Sequence, residues 1–373
     1  MKIAIATSTR ADWGLLHPLV RELSDRGESP IIIATYAHLF PEMGDTIQEL
    51  VSDGFPPKMS VPVRRDPHEA VADAVTGFSK ALRFLRPDIL VVLGDRFEIL
   101  GVATAALLEK VPLAHIAGGT VSEGAIDDSI RNAISQMATL HFPETRKGRQ
   151  KLLLMGARPE NVVVAGALGV YNTLAVPRMH REELFRSIGF ELGDRFLLGT
   201  YHPATRATGG GEDLSAIEQM KTWIAGLELA LGENEDLRML LTFPNTDADP
   251  TALMSLLYTF ERAHLSRVKV VPSLGRVRYI NAARYASVVA GNSSSGIVEM
   301  PSVGVPVVDV GPRQQGRQRS SAVIHSPLDA ALIARAVSEA LKPASKVRAE
   351  DTPNPYFLPD TPRVIADRLL CFS

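Results

Sequence analysis

Short apolar runs recur along the chain, each ending in a cluster of Gly, Ser, Thr, Asn, Asp, His or Arg and followed by a segment with apolar residues at helical spacing. Runs of this length bounded by turn residues read as strands buried on both faces. In the first half they fall at residues 2–6, 30–35, 88–93, 112–116, 140–142 and 161–165. Helical patterns cover 15–26, 41–53, 69–85, 97–109, 127–138 and 145–155, and residues 55–68 are proline-rich and irregular. Residues 166–177 read as a linker, after which the pattern restarts with strands at 196–200, 237–243, 268–271, 287–291 and 305–310. A flexible Gly209-Gly210-Gly211 precedes a helix reaching about residue 231. Further helices lie between the second and third of these strands, at 276–285, around Glu299, at 328–341 and at 362–370. Strands alternating with helices mean a parallel sheet covered on both faces. The restart predicts an α/β chain of two Rossmann-like parallel-sheet domains, 1–170 and 178–358, facing across a cleft. The last segment, 359–373, is expected to be a helix with Pro362 at its start, packing back on the first domain.

Composition narrows the class. At about 150 residues per domain, 373 residues make two domains, each large enough to bury its own core. With 40 Lys and Arg against 42 Asp and Glu, the net charge of −2 argues against nucleic acid or a membrane surface as partner. Selectivity for an anion must then come from individual arginines. The one cysteine, Cys371, excludes an internal disulfide and a cysteine-based metal cluster. Met1-Lys2 leads straight into an apolar strand with no signal-peptide pattern, and no apolar run reaches the roughly 18 residues that span a bilayer. The reading is a soluble cytoplasmic protein.

Ligands of open α/β sheets bind outside the carboxyl ends of the strands. Here nearly every strand ends in polar or glycine-rich residues, from Thr7-Ser8-Thr9-Arg10 through Gly94-Asp95-Arg96 to Tyr201-His202-Pro203 and Pro244-Asn245-Thr246-Asp247. The fullest cluster is Asn292-Ser293-Ser294-Ser295-Gly296, followed by Glu299 in a helical segment, a second apolar run and Gly311-Pro312-Arg313. Such a loop puts backbone N–H groups and hydroxyls at the positive end of a helix, where phosphate binds. Glu299 can accept from ribose hydroxyls, and the Arg313 guanidinium suits a diphosphate. Arg10, Arg96 and Arg313 can meet on one dianionic group. Asp95, Glu123, Asp127, Asp128, His38 and His202 are the candidates for proton transfer.

Each has an ordinary structural alternative. Ser293 and Asp127 fit plain helix N-caps, Asp95 fits a pair with a local arginine, and His202 fits a turn before proline. His115 lies inside a strand and reads as core. His17, His68, His264 and His325 read as surface residues, and the two tryptophans as packing. No H-x-x-x-H or H-E-x-x-H spacing or carboxylate cluster argues for a metal. No G-x-G-x-x-G follows the first strand and there is no Walker loop, so neither NAD nor ATP is indicated and no cofactor is expected.

Together these residues make the chain resemble the hydrolysing UDP-N-acetylglucosamine 2-epimerases of sialic-acid biosynthesis. The stretches that carry the likeness are TSTRADWGLL (7–16), VVLGDRFEIL (91–100), EGAIDDSIRNAI (123–134), YHP (201–203), PNTD (244–247), GNSSSGIVEMPSVGVPVV (291–308) and GPRQQGR (311–317). They span almost the whole chain, in order. The resemblance implies a GT-B-like fold, a homodimer, and a UDP-sugar held mainly by the second domain. It assigns Ser293, Ser294 and Glu299, in the loop with Asn292, Ser295 and Gly296, to phosphate and ribose. Arg10, Arg96 and Arg313 go to the diphosphate, His202 lies near phosphate or sugar, and Asp95 and Asp127 are the catalytic carboxylates. The implied reaction removes the C2 proton, expels UDP in an anti elimination to a 2-acetamidoglucal, and adds water to give free N-acetylmannosamine.

The chain departs from the family at four places. Ala117 stands where a Glu or His is usual, Thr120 where an acidic residue is usual, Asn132 in place of a histidine, and Tyr171 in place of an aspartate. Glu123 is the nearest carboxylate in sequence to replace the missing one. The altered loop equally fits a different sugar, UDP-2,4-diacetamido-2,4,6-trideoxyglucose on the route to legionaminic acid. A protein of another class also fits: a nucleotide-sugar-binding protein or GT-B glycosyltransferase that keeps the UDP site without the elimination. A non-hydrolysing epimerase is a third reading.

Overall fold

The computed structural model describes residues 1–41, 44, 46–121, 126–203, 214–244 and 250–372. The chain divides into two compact units. One comprises Met1–Val121, Ile126–Asn172 and the segment from Leu358 onward, the other Thr173–Phe357. The first unit contains, in order, β1 (Ile3–Thr7), α1 (Arg10–Asp25), β2 (Ile31–Thr35), α2 (Ile47–Ser52), β3 (Met59–Val61), α3 (Pro67–Leu85), β4 (Ile89–Leu93), α4 (Phe97–Leu108), β5 (Leu113–Ile116), α5 (Ile126–Met137), β6 (Leu140–Phe142) and α6 (Arg146–Leu154). The division between units falls within α7 (Leu168–Ala175). The second unit continues with α8 (Arg181–Ile188), β7 (Phe196–Thr200), α9 (Ala216–Glu233), β8 (Arg238–Thr242), α10 (Pro250–Ala263), β9 (Val268–Val271), α11 (Gly275–Tyr285), β10 (Val288–Gly291), α12 (Ser294–Val298), β11 (Val307–Val310), β12 (Val323–Ser326), α13 (Ala330–Ala340) and α14 (Pro343–Asp351). The final helix, α15 (Thr361–Leu370), belongs to the first unit.

Both sheets are parallel and both are doubly wound. The first runs β3-β2-β1-β4-β5-β6 and the second β12-β11-β10-β7-β8-β9, the same order counted from each unit's own first strand. Alternate residues of β1 feed opposite faces. Ala4 and Ala6 pack with Phe78 of α3 and Val102 of α4, while Ile3 and Ile5 pack with Leu16 and Leu19 of α1 and Ile365 and Leu369 of α15. In the second unit Leu197 and Met239 face Trp223 of α9 and Val337 of α13, and Phe196 and Leu198 face Ile280 of α11 and Phe185 of α8. Burial on both faces is why these strands are continuous apolar runs.

Several elements differ from the pattern-based reading. Helix α1 starts at Arg10, inside the stretch read as a loop, because Thr9 and Asp12 form a capping box. The helix read at 41–53 is confined to α2. Strand β3 lies in the proline-rich stretch, at the sheet edge where a flanking proline costs no ladder bond. Residues 161–165 are not a strand: Val162 makes a single bridge to His141 after a 3-10 turn, Pro159–Asn161. The expected linker contains α7, whose Leu168 is buried in the core of the first unit. Edge strand β12 and helices α8 and α14 had no reading. Among the described residues no helix is long and apolar enough to cross a membrane.

Candidate functional site

In each sheet the connections run in opposite directions from two adjacent central strands, β1 and β4 in the first unit and β7 and β10 in the second. In open sheets of this order ligands bind outside the carboxyl ends of such strands. Polar clusters sit at both places.

In the second unit Gly291 lies opposite Thr200 in the β7–β10 register. Its φ is +145°, and a Cβ there would stand 1.8 Å from the Thr200 carbonyl oxygen, so only glycine permits the approach. The buried Asn292 then clamps the other strand end. Its Oδ1 accepts from the His202 N–H at 2.7 Å, and its Nδ2 donates to the His202 carbonyl at 2.7 Å. Gln314 donates to the Asn292 carbonyl at 2.9 Å, and Arg313 Nη1 approaches the His202 carbonyl at 3.5 Å. His202 is 8% exposed. Burial, and then the Arg313 charge, push its imidazole down to about 4. At neutral pH its imidazole is therefore uncharged.

Ser293 caps α12 through Ser295 N–H. That helix has five residues, and Glu299 is its C-cap rather than part of its first turns. A helix so short adds little dipole to the N–H groups and hydroxyls of this loop. Ser295 Oγ donates to Glu299 Oε2 at 3.0 Å, and Thr173 Oγ1 to the same oxygen at 3.4 Å. Burial pushes the neighbouring Tyr279 phenol up to about 12, with a hydrogen bond to Ser295 opposing. At the end of β11, buried Asp309 accepts from Arg319 at 2.7 Å and lies 3.3 Å from His325 Nδ1.

In the first unit Asp12 accepts from the N–H groups of Ser8 at 2.7 Å and Thr9 at 2.6 Å, shaping the turn after β1. His38 is buried and both ring nitrogens are engaged, Nε2 with Thr7 Oγ1 at 3.0 Å and Nδ1 with Thr46 Oγ1 at 2.9 Å. Burial lowers its pKa. It is a neutral brace between β1 and the segment after β2. Arg10 is 73% exposed and pairs with Glu49 at 2.9 Å. Arg96 pairs with buried Glu98 at 2.6 Å and lies over Tyr36 and Phe97. Each arginine thus has its own carboxylate.

The densest cluster of charge lies beyond β4. Arg131 of α5, 3% exposed, donates through Nη2 to Asp95 and through Nη1 to Asp128 and to the Thr120 carbonyl, the last at 2.8 Å. Asp128 also accepts from Asn132 at 3.1 Å and from Lys151 at 3.5 Å. Asp95 is thus paired with an arginine, but not a local one: the neighbouring Arg96 pairs with Glu98, and the partner of Asp95 is Arg131, 36 positions on. Asp127 is exposed in the first turn of α5. Asp128 is gathered with Asp95 on Arg131; helix spacing alone does not select it, since Asp127 and Asp128 lie four and three positions before Arg131 and both spacings share a face. His115 holds this loop from below, with Nε2 on the Gly94 carbonyl at 2.7 Å and Nδ1 on Ser135 Oγ at 3.0 Å. Burial pushes it down to about 4, so the ring is neutral and Nε2 carries the proton. Ala117 occupies a left-handed conformation at φ +65°. Tyr171 is 37% exposed on α7. Glu123, Asn245, Thr246, Asp247 and Gly209-Gly210-Gly211 lie outside the described residues.

Sequence reasoning passed over Arg131 and Glu144. A lone arginine on the buried face of α5, between Ile130 and Ile134, was the available signal for the first. Glu144 had none. It immediately precedes the Thr145 cap of α6, and it accepts from Thr120 Oγ1 at 3.3 Å.

Two doubly wound α/β units with polar switch points are the components of a GT-B-like nucleotide-sugar fold. The structure of Methanocaldococcus jannaschii UDP-GlcNAc 2-epimerase in complex with UDP-GlcNAc and UDP has this fold, superposing with a TM-score of 0.79 at 20% identity over 99% of both chains. The family model for UDP-N-acetylglucosamine 2-epimerase matches residues 21–370, and the chain belongs to that family of enzymes. It is 32% identical over 334 residues to the hydrolysing GDP/UDP-N,N'-diacetylbacillosamine 2-epimerase of Campylobacter jejuni, covering 88% of this chain and 85% of the relative. It is 30% identical over 354 residues to the hydrolysing UDP-N,N'-diacetylbacillosamine 2-epimerase of Legionella pneumophila, covering 92% and 90%.

Proposed function

We propose that the chain is a hydrolysing 2-epimerase of a nucleoside-diphosphate 2-acetamido sugar. A 2,4-diacetamido-2,4,6-trideoxy sugar is favoured, because both relatives cited above are named for diacetylbacillosamine. The observation that carries the reading is the gathering of Asp95, Asp128 and the Thr120 carbonyl on buried Arg131 at the carboxyl edge of the first sheet. Such carboxylates can move protons, and the loop of the second unit, by itself, is built to hold an anion.

In the proposed reaction a carboxylate takes the proton from C2 and the C–H electrons form the C1=C2 bond. The C1–O bond breaks, and its pair leaves on the diphosphate. Water then adds to the 2-acetamidoglucal, hydroxyl to C1 and a proton to C2 from the opposite face. The products are the nucleoside diphosphate and a free mannose-configured sugar, 2,4-diacetamido-2,4,6-trideoxymannose or N-acetylmannosamine. Asp95 with Asp128 or Asp127 would carry protons. In the second unit the loop Asn292 to Gly296 and Arg313 would hold diphosphate, with neutral His202 beside the loop and Glu299 on the ribose; in the first unit Arg10 and Arg96 are the proposed anion contacts.

Proton NMR in D2O tests this with three substrates: UDP-2,4-diacetamido-2,4,6-trideoxyglucose, its GDP counterpart, and UDP-N-acetylglucosamine. Free nucleoside diphosphate appearing together with a free sugar deuterated at C2 is the expected result. Nucleotide binding with every sugar left intact would favour the binding-protein or glycosyltransferase reading, which Ala117 and Thr120 motivate. The family also leads us to expect a cytoplasmic homodimer, which cell fractionation and sedimentation equilibrium check.

A further inference from the structure

We propose that Glu144, in the turn between β6 and α6, is a second proton carrier of this site, a reading that rests on the 2-epimerase function above. Inversion at C2 requires a proton to leave one face of the sugar and another to arrive on the opposite face, so carriers must approach from two directions. Asp95 comes from the end of β4. Glu144 comes from the end of β6, and the residue between them is Thr120, after β5. Thr120 Oγ1 donates to Glu144 Oε2 at 3.3 Å, and its carbonyl accepts at 2.8 Å from Arg131, the same arginine that binds Asp95. Three neighbouring strand ends are thereby joined through one threonine and one buried guanidinium.

The fold around Glu144 holds it in place. Thr145 Oγ1 accepts from Gly148 N–H at 3.0 Å and fixes the first turn of α6, while the Pro143 carbonyl accepts from Ala165 N–H at 3.0 Å. That first turn packs directly on the loop after β5. Gly119 has φ +76°, and a Cβ there would lie 2.4 Å from the Gly148 carbonyl oxygen. A side chain at position 119 would push α6, and Glu144 with it, away from Thr120. Glu144 itself is half-buried, so a ligand can reach it. Close by, Ala117 is held at φ +65°, a left-handed conformation that strains an alanine. Strain of this kind collects where surrounding structure serves a site.

A purely structural Glu144–Thr120 hydrogen bond would stiffen the loop without entering the chemistry, and kinetics separate the two. In the full-length chain, with a sugar nucleotide that the wild type turns over, Glu144→Gln is expected to lower kcat about 10²–10³-fold. KM should stay within about threefold and one limb of the kcat–pH profile should disappear. Glu144→Asp should keep part of the activity, and Thr120→Glu introduced into Glu144→Ala should raise kcat at least about tenfold over the single variant. UDP titration of each variant verifies that the second unit is folded. Wild-type kcat and pH profile in Glu144→Gln overturn the inference alone. So does a fall in kcat with an unchanged pH profile and no rescue by Glu144→Asp or the double variant. Failure of the wild type to release nucleoside diphosphate from any substrate overturns the functional reading, and this inference with it.

Discussion

Asn292 offers a sharp test of how the second switch point is held. Its carboxamide satisfies both the N–H and the carbonyl of His202 at 2.7 Å, in a buried setting. Leucine has nearly the same volume and removes both bonds. The N–H then loses this acceptor, and the carbonyl keeps the long 3.5 Å approach of Arg313. A buried polar group that loses its partner costs about 1–3 kcal/mol, so two of them cost about 2–6, and the residual Arg313 contact puts the expectation near 3 kcal/mol. For a unit of this size that lowers Tm by about 6–12 °C.

Aspartate at the same position is more discriminating. It keeps an acceptor for the His202 N–H but turns a second oxygen toward the His202 carbonyl. Only its protonated form can donate there, so folding raises its pKa above the unfolded value of about 3.9. Relative to wild type at the same pH, Asn292→Asp should be nearly neutral below about pH 4. It should then lose about 1.4 kcal/mol per pH unit until the folded pKa is passed. Scanning calorimetry across pH measures this, and UDP titration reads the loop, where both variants should weaken binding at least about tenfold, or 1.4 kcal/mol. A leucine variant whose Tm lies within about 2 °C of wild type, a shift worth under about 1 kcal/mol, would refute the clamp. An aspartate deficit that does not change with pH would refute the donor assignment.

Four further outcomes are expected. His115, His141 and His202 are each pushed down to about 4 by burial, so the unfolded chain takes up their protons first as pH falls. Stability should therefore drop between about pH 6.5 and 4, by up to about 4 kcal/mol per pH unit if all three respond, and calorimetric proton uptake of less than about one per chain at pH 5 would count against it. Arg131→Met leaves Asp95 and Asp128 without their guanidinium and should cost about 3–5 kcal/mol in thermal unfolding, with most of it recovered, but not turnover, when both aspartates become asparagine. Gly291→Ala would set a methyl 1.8 Å from the Thr200 carbonyl and should cost about 3 kcal/mol or more; a wild-type Tm with intact UDP binding would show that the strands do not approach so closely. Asp95→Asn should leave UDP binding in place and lower kcat about 10²–10⁴-fold, and unchanged turnover would remove Asp95 from the chemistry.

The central strands were legible because a strand covered on both faces must be apolar throughout, and β1, β4, β7 and β10 are written that way. Edge strands β3 and β12 pair on one side only and carry no such run. The start of α1 was encoded locally in Thr9 and Asp12, but it was hidden by the polar residues that also mark a ligand loop. Helix α7 was missed because Leu168 is buried by the fold of the first unit rather than by a helical repeat of its own.

The site divides along the same line. Which residues stand at the strand ends is a property of local sequence, so Asn292 to Gly296, Arg313 and Asp95 could be named in advance. Which of them meet is a property of pairs distant along the chain. Asp127 and Asp128 stand four and three positions before Arg131, so helix spacing offers both to the guanidinium, and the structure pairs it with Asp128. Arg131 reaches Asp95 across 36 positions and Thr120 reaches Glu144 across 24, and no local pattern encodes either approach. They follow from the strand order, which sets β4, β5 and β6 side by side, and from Gly119, whose missing side chain lets α6 close on the β5 loop. By itself the sequence determined the family, the two parallel sheets and the nucleotide-type loops, because burial and backbone freedom act residue by residue. Only the tertiary structure decided which carboxylates share a guanidinium and which histidines are neutral braces, because hydrogen bonding and desolvation depend on what the fold places beside each group.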